Sequence, residues 1–193
     1  ACDCQSLSQV IPGLSCSQSR NGADSQSNGG TTPPVNSTDA GAGSPQPTTR
    51  EKTFFASADA YTDNLNPLDN FGGEPALYSG FVNLGPSDGE YFNVFVNFDL
   101  SELPANAIIV SATLKLTTDA NASIVKPLGT VTVARVTEVS WTEHGITYFN
   151  MPSVGEYIVS REITFETATT WDFPVTNAVK TWISGSPNRG FWI

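Results

Sequence analysis

Basic residues are scarce in this chain. Nine lysines and arginines stand against nineteen aspartates and glutamates among 193 residues, a net charge of −10. Nucleic-acid affinity rests on Lys and Arg displacing counterions, and attraction to anionic lipid rests on basic clusters, so neither partner fits. Long apolar runs are lacking too, and none reaches the ~18 residues that mark a membrane-spanning helix. Histidine occurs once, as His144 in a Thr-Glu-His-Gly turn. No Ser or Cys is marked as its nucleophilic partner, and no two carboxylates are singled out as an acid–base pair. Phosphate-cradling glycine loops, dinucleotide fingerprints, zincin and EF-hand patterns do not occur. The expectation is a non-enzymatic protein with no catalytic residue, in which His144 is an exposed loop side chain.

Aromatic residues are missing from the first fifty positions. All 11 Phe, 4 Trp and 5 Tyr lie from Phe54 onward. A segment so poor in apolar surface cannot offset a backbone ordering cost of roughly 1–2 kcal/mol per residue. The aromatic-rich remainder is of ordinary size for one core. The expected division is a Cys-containing segment over 1–19, a Ser/Gly/Pro-rich linker over 20–52 and a β-sandwich domain over 53–193 with its last strand missing.

Cysteine is limited to Cys2, Cys4 and Cys16. An odd count allows at most one intrachain disulfide. A Cys-x-Cys pair does not bridge itself without strain, so Cys16 is expected to pair with Cys2 or Cys4. The remaining thiol would bond another chain, carry a lipid or stay free. Three cysteines with His144 far away do not match a structural zinc spacing. A start at Ala1-Cys2 is expected of a mature product that has lost a signal peptide, and disulfide use fits an extracellular or cell-surface location. Asn36 and Asn121 each begin an Asn-x-Ser/Thr glycosylation pattern, a weak signal because the pattern is common.

From Thr53 the chain alternates with a period of two. "FNVFVNFDLS" and "AIIVSATLKLTT" read as strands, the second with Ile109, Ser111, Thr113 and Lys115 on one face and Ile108, Val110, Ala112, Leu114 and Leu116 on the other. "TVTVARVTEVS" places Val131 and Val133 on one face, then Ala134 and Val136 after a one-residue slip. "VTNAVKTWISG" is the exception. It presents Val175, Val179, Trp182 and Ile183 on one helical face, with Thr176 or Asn177 as the cap and Gly185 as the stop. Short strands at this spacing, separated by turn clusters, predict an all-β, jelly-roll-like antiparallel sandwich.

The motifs "ADAYTDNLNPLDNFGG", "VFVNFDLSELPANAIIVSATLKL", "VSWTEHGITYFNMP" and "PVTNAVKTWISGSPNRGFWI" occur in the order and spacing of the DNRLRE domain. The chain resembles that family from Thr53 to Ile193. The family overlaps a carbohydrate-binding module class found in alginate-degrading enzymes and in a methanogen disaggregatase. The resemblance implies the sandwich and a glycan-binding role. It departs at Asn93, where the family commonly carries a basic residue, and at Pro174, where it carries an Asp. The family also continues beyond the "GF-L" motif into a closing strand.

Two roles follow. The first is a structural subunit of an extracellular fibre or layer, in which the N-terminal extension adds a strand to another copy, since a sheet lacking a strand accepts one. Its partner would be further copies of itself. The alternative is a polysaccharide-binding module for an acidic or other cell-surface glycan. For that role Tyr61, Phe71, Tyr78, Phe81 and Tyr91 are the candidate rim. Trp141 is expected to anchor the core, with Glu143 bonded to a nearby backbone turn. Calcium is the one cofactor considered, with Asp59, Asp63 and Asp69 as oxygen ligands, although Asx turns account for the same residues.

Overall fold

The computed structural model describes residues 8–20, 48–86, 88–104, 106–118, 128–164 and 169–193. Ten strands and one helix follow in order: β1 (Ser8–Arg20), β2 (Thr48–Phe55), β3 (Ala58–Asp63), β4 (Tyr78–Asn83), β5 (Gly89–Asn97), β6 (Ile108–Thr118), β7 (Leu128–Val136), β8 (Val154–Thr164), β9 (Thr170–Pro174), α1 (Thr176–Ile183) and β10 (Phe191–Trp192). Hydrogen bonding runs β8-β7-β10-β5-β4-β1-β6-β9, with β2 added to β1 and β3 to β5. All pairings are antiparallel. The expected all-β antiparallel sandwich is the fold.

The core lies between the layer built on β6 and the layer built on β5. Leu114, Leu116 and Phe173 on β6 and β9 meet Val94, Val96 and Val133 on β5 and β7. α1 lays Ala178, Val179 and Trp182 against the same core. Trp182 packs on Phe191 of β10 with ring centroids 4.9 Å apart. Burying each large apolar side chain contributes roughly 1.5–3 kcal/mol.

Three sequence expectations change in detail. In β6, Ile109 is buried while Ile108 and Val110 are exposed. A bulge causes this: Ser17 pairs with Ser111 but Gln18 pairs with Ile109, so Val110 is left over and the alternation flips. In β7 the irregularity falls on its partner: the register against β8 shifts between Val133 and Ala134 and again between Ala134 and Val136, with the extra residues on β8. Val131 and Val133 face the main core, whereas Ala134 and Val136 are buried on the opposite face, where Val136 joins a second cluster with Ala60, Phe95 and Ile146. The helix cap is Val175, without a side-chain hydrogen bond. The Thr176 hydroxyl instead accepts from the Ala112 backbone N–H at 3.0 Å, tying the helix start to β6.

The strands also begin before residue 53. β1 forms an antiparallel hairpin with β2 and lies along β6, so Cys16 stands in register between Lys52 and Ala112. Cys2, Cys4, Asn36 and Asn121 lie outside the described residues.

At its end the chain enters the middle of the β5 layer. Phe191 and Trp192 pair with Val96 and Phe95 of β5 on one side and with Arg135 and Ala134 of β7 on the other. Ile193 continues the ladder by exchanging both backbone bonds with Val94, at 2.9 and 3.1 Å. β4 occupies the same edge of β5 further along, and β3 covers the other edge.

Entry into β10 depends on Gly190, whose φ is +82°. A Cβ there would lie 2.1 Å from the Val96 carbonyl oxygen. Gly190→Ala is therefore expected to destabilise the fold by roughly 1–3 kcal/mol or more through strain and backbone clash. Gly73 is the control, because an added Cβ would meet nothing within 4 Å and its φ is not positive. Gly73→Ala should stay within about 0.5 kcal/mol. Urea unfolding of the two variants beside the parent checks this.

Candidate functional site

The β5 layer has an outer face that is half covered. Side chains of paired residues in an antiparallel ladder share a face. Ala60 on β3, Phe95 on β5 and Val136 on β7 point outward together with Trp192 on β10. The segment following β7 folds over them, placing Trp141, Ile146 and Met151 on this patch. Trp141 meets Phe95 edge-on at 5.9 Å and donates its indole N–H to the Arg189 carbonyl at 2.9 Å. It is a packing residue, as expected from its motif.

The long loop between β3 and β4 holds that cover in place. Asn70 donates to the carbonyls of both Glu143 and Ile146 at 2.7 Å. Gly72 approaches so closely that a Cβ would lie 2.1 Å from the Glu143 carbonyl oxygen. Phe149 donates its backbone N–H to the Pro67 carbonyl at 2.9 Å. The Glu143 carboxylate accepts the Asp59 backbone N–H at 3.2 Å and has the exposed His144 imidazole 3.5 Å away.

Beyond the cover, the face is open. A groove of about 350 Å³ lies between β4 and β7, with Ser79, Gly80 and Phe81 on one wall and Gly129 to Thr132 on the other. Tyr91, Phe92, Asn93, Trp192 and Ile193 complete it. Phe81 and Tyr91 are cross-strand partners with rings 4.8 Å apart. The Phe81 ring lies over Gly89, where a Cβ would come within 2.1 Å of it. Trp192 is oriented by its indole N–H, which donates to the Asn93 side-chain oxygen at 3.1 Å. Its other neighbour, Tyr157 of β8, lies 6.4 Å away ring to ring and is 68% exposed. The Thr132 hydroxyl shares a 2.8 Å hydrogen bond with Ser160 on the next strand. Such a surface offers aromatic planes beside hydroxyl and amide groups.

Of the five rim candidates, the structure brings Phe81 and Tyr91 to this groove. Tyr61 is corrected to the core: it faces inward opposite Val94 and is 7% exposed. It stacks on Phe71 at 4.5 Å and meets Tyr78 edge-on at 5.2 Å, so those two half-buried rings belong to the same inner cluster. Burial first, then the charges of Glu74 and other nearby groups, push the Tyr61 phenol up to about 12. Sequence alone does not single out Trp192, Thr130 and Thr132, and marks Asn93 only as a departure from the resembled family, because pairing between distant strands assembles them.

The three acidic candidates are spread apart. Asp59 and Asp63 stand at opposite ends of β3, roughly 13 Å apart at the usual rise per residue. Asp63 accepts the Leu65 backbone N–H at 2.8 Å and is also bonded by the Asn66 amide, an Asx turn. Asp69 is exposed in the following turn, its N–H donated to the Asn66 carbonyl. Among the described residues no three His, Cys, Asp or Glu side chains converge as a metal site would require.

The model of carbohydrate-binding module family 96 matches residues 50–193, and the chain belongs to that family. No curated protein matches the chain. Among the described residues no helix is long and apolar enough to cross a membrane.

Asp59 makes a test of the electrostatics around the cover. Burial first, and then the neighbouring Glu143 carboxylate, raise its pKa. A carboxyl raised in the folded state favours folding while protonated and loses that contribution as pH rises through the folded value. Ionised Asp59 is thus a net cost at neutral pH, and Asp59→Asn should raise the melting temperature there. The gain should close as the pH falls below the ordinary Asp value near 3.8, where both forms are neutral. Thermal melts at about pH 7 and about pH 3 check the sign.

Proposed function

We propose that this protein is a non-catalytic polysaccharide-binding module that takes its ligand in the groove between β4 and β7. The observation that carries this reading is the set of aromatic side chains, Phe81, Tyr91 and Trp192, lining one open groove beside Asn93, Thr130 and Thr132. A pyranose ring is amphipathic, with C–H faces and a hydroxyl rim. Its faces bury apolar area against aromatic planes at about 25 cal/mol per Å², and its hydroxyls exchange water for side-chain partners at little net cost. The groove is also within the usual size of ligand sites, about 300–1,000 Å³. A family defined by carbohydrate binding supports the same conclusion. Glycans of this kind are met outside the cell, so a secreted or surface-displayed protein fits.

The assembly role requires an N-terminal strand to reach another copy. In the structure that strand, β1, lies along β6 of its own chain. The family match favours the glycan role instead.

Tyr91 is 51% exposed, so Tyr91→Ala removes contact surface without opening the core. Tyr91→Ala and Trp192→Ala are each expected to weaken polysaccharide binding roughly tenfold or more, the equivalent of ~1.4 kcal/mol. Phe149, 80% exposed outside the groove, is the control, and Phe149→Ala should bind as the parent does. Affinity electrophoresis through polysaccharide gels, with circular dichroism to confirm folding, makes the comparison. Equal retention of all three variants would reject the groove as the site.

A further inference from the structure

We infer that the groove selects an uncharged polysaccharide and rejects polyuronates; the inference rests on the glycan-binding reading above. The side chains lining the groove are phenyl, phenol, indole, amide, hydroxyl and aliphatic groups, with no lysine or arginine among the described residues there. A chain of uronate units places a carboxylate on every sugar. Holding such a chain requires cations or several convergent N–H donors, because a carboxylate taken from water without them bears its full desolvation cost. The groove's side-chain donors are neutral, among them the Asn93 amide and the hydroxyls of Tyr91, Thr130 and Thr132, and the Asn93 oxygen is engaged by Trp192.

Two charged residues of β8 are paired with the groove wall: Arg161, opposite Val131, turns to the Asp172 carbonyl and the Trp171 ring, and Glu162 carries the wrong sign for a polyanion. Glu162 on β8 is paired in register with Thr130, one strand spacing from the wall. Glu90 on β5 is paired with Val82 and, by alternation along the strand, points to the face opposite Tyr91. Neither has a basic partner among the ion pairs of the described residues, which join Lys52 to Glu102, Lys115 to Asp172, Arg135 to Glu156 and His144 to Glu143. The net charge of −10 adds a repulsive background. At physiological salt that background fades over about 8 Å, so the Glu162 carboxylate is the charge a bound polyanion would meet. A neutral sugar chain meets none of these penalties, and the aromatic walls and threonine hydroxyls are what its faces and rim need.

The test uses the intact protein in affinity electrophoresis through gels holding hydroxyethylcellulose or galactomannan, and through gels holding alginate or polygalacturonate. Each is run at about 0.02 and about 0.5 M NaCl, since only ionic attraction is screened over that range. The expected result is retardation by a neutral polymer that changes less than twofold with salt, is lost in Trp192→Ala and Tyr91→Ala, and is absent with both polyuronates. Retardation by a polyuronate that salt weakens and that both variants lose would overturn the neutral selectivity while leaving the groove as the binding site. Retardation unaffected in both variants, or none with any polymer, would overturn the groove reading itself.

Discussion

Everything in this molecule is arranged around one strand whose two faces are both enclosed. Val94, Phe95 and Val96 of β5 are successive residues, and all three are fully buried. A strand alternates its side chains, so consecutive burial means two separate apolar coverings. Val94 and Val96 look into the sandwich, where β6, β9 and α1 close over them. Phe95 looks the other way and is covered by Trp141, Ile146 and the residues around them. Both edges are used as well, one by β3 and the other shared end to end by β4 and β10. The open groove exists because the outer cover stops short of the β4 end of β5.

Much of this is legible in the residues. Alternation identifies the strands and the one period-3.6 segment identifies the helix, whereas the aromatic-poor Ser8–Arg20 joins the sheet as β1. What alternation does not reveal is which neighbour a strand meets. The bulge at Val110 exchanges Ile109 for Ile108 as a core residue, and only the pairing with β1 shows it. Ala134 and Val136 read as a slip because a doubly buried strand breaks the simple pattern.

The binding face is harder to read for the same reason. Tyr61 and Tyr91 look alike in sequence, each an aromatic near a polar loop. Parity along the ladder separates them: Tyr61 pairs with inward Val94, and Tyr91 with outward Phe81. Trp192 and Asn93 are 99 residues apart and become a hydrogen-bonded pair only when β10 docks on β5. Charge, by contrast, is visible in composition alone. The scarcity of Lys and Arg reappears as a groove with no cation among its described lining residues.

On β5 the residues that hold the fold and those that face the ligand alternate one by one. Val94 and Val96 serve the core, Tyr91 and Asn93 serve the groove, and half-buried Phe92 between them touches both. Neighbours on opposite sides of a sheet share few partners, and substitutions without shared partners combine nearly additively. Ligand preference can therefore drift across generations at Tyr91 and Thr130 with little toll on folding. Selection on recognition and selection on stability act on interleaved letters of a single short word.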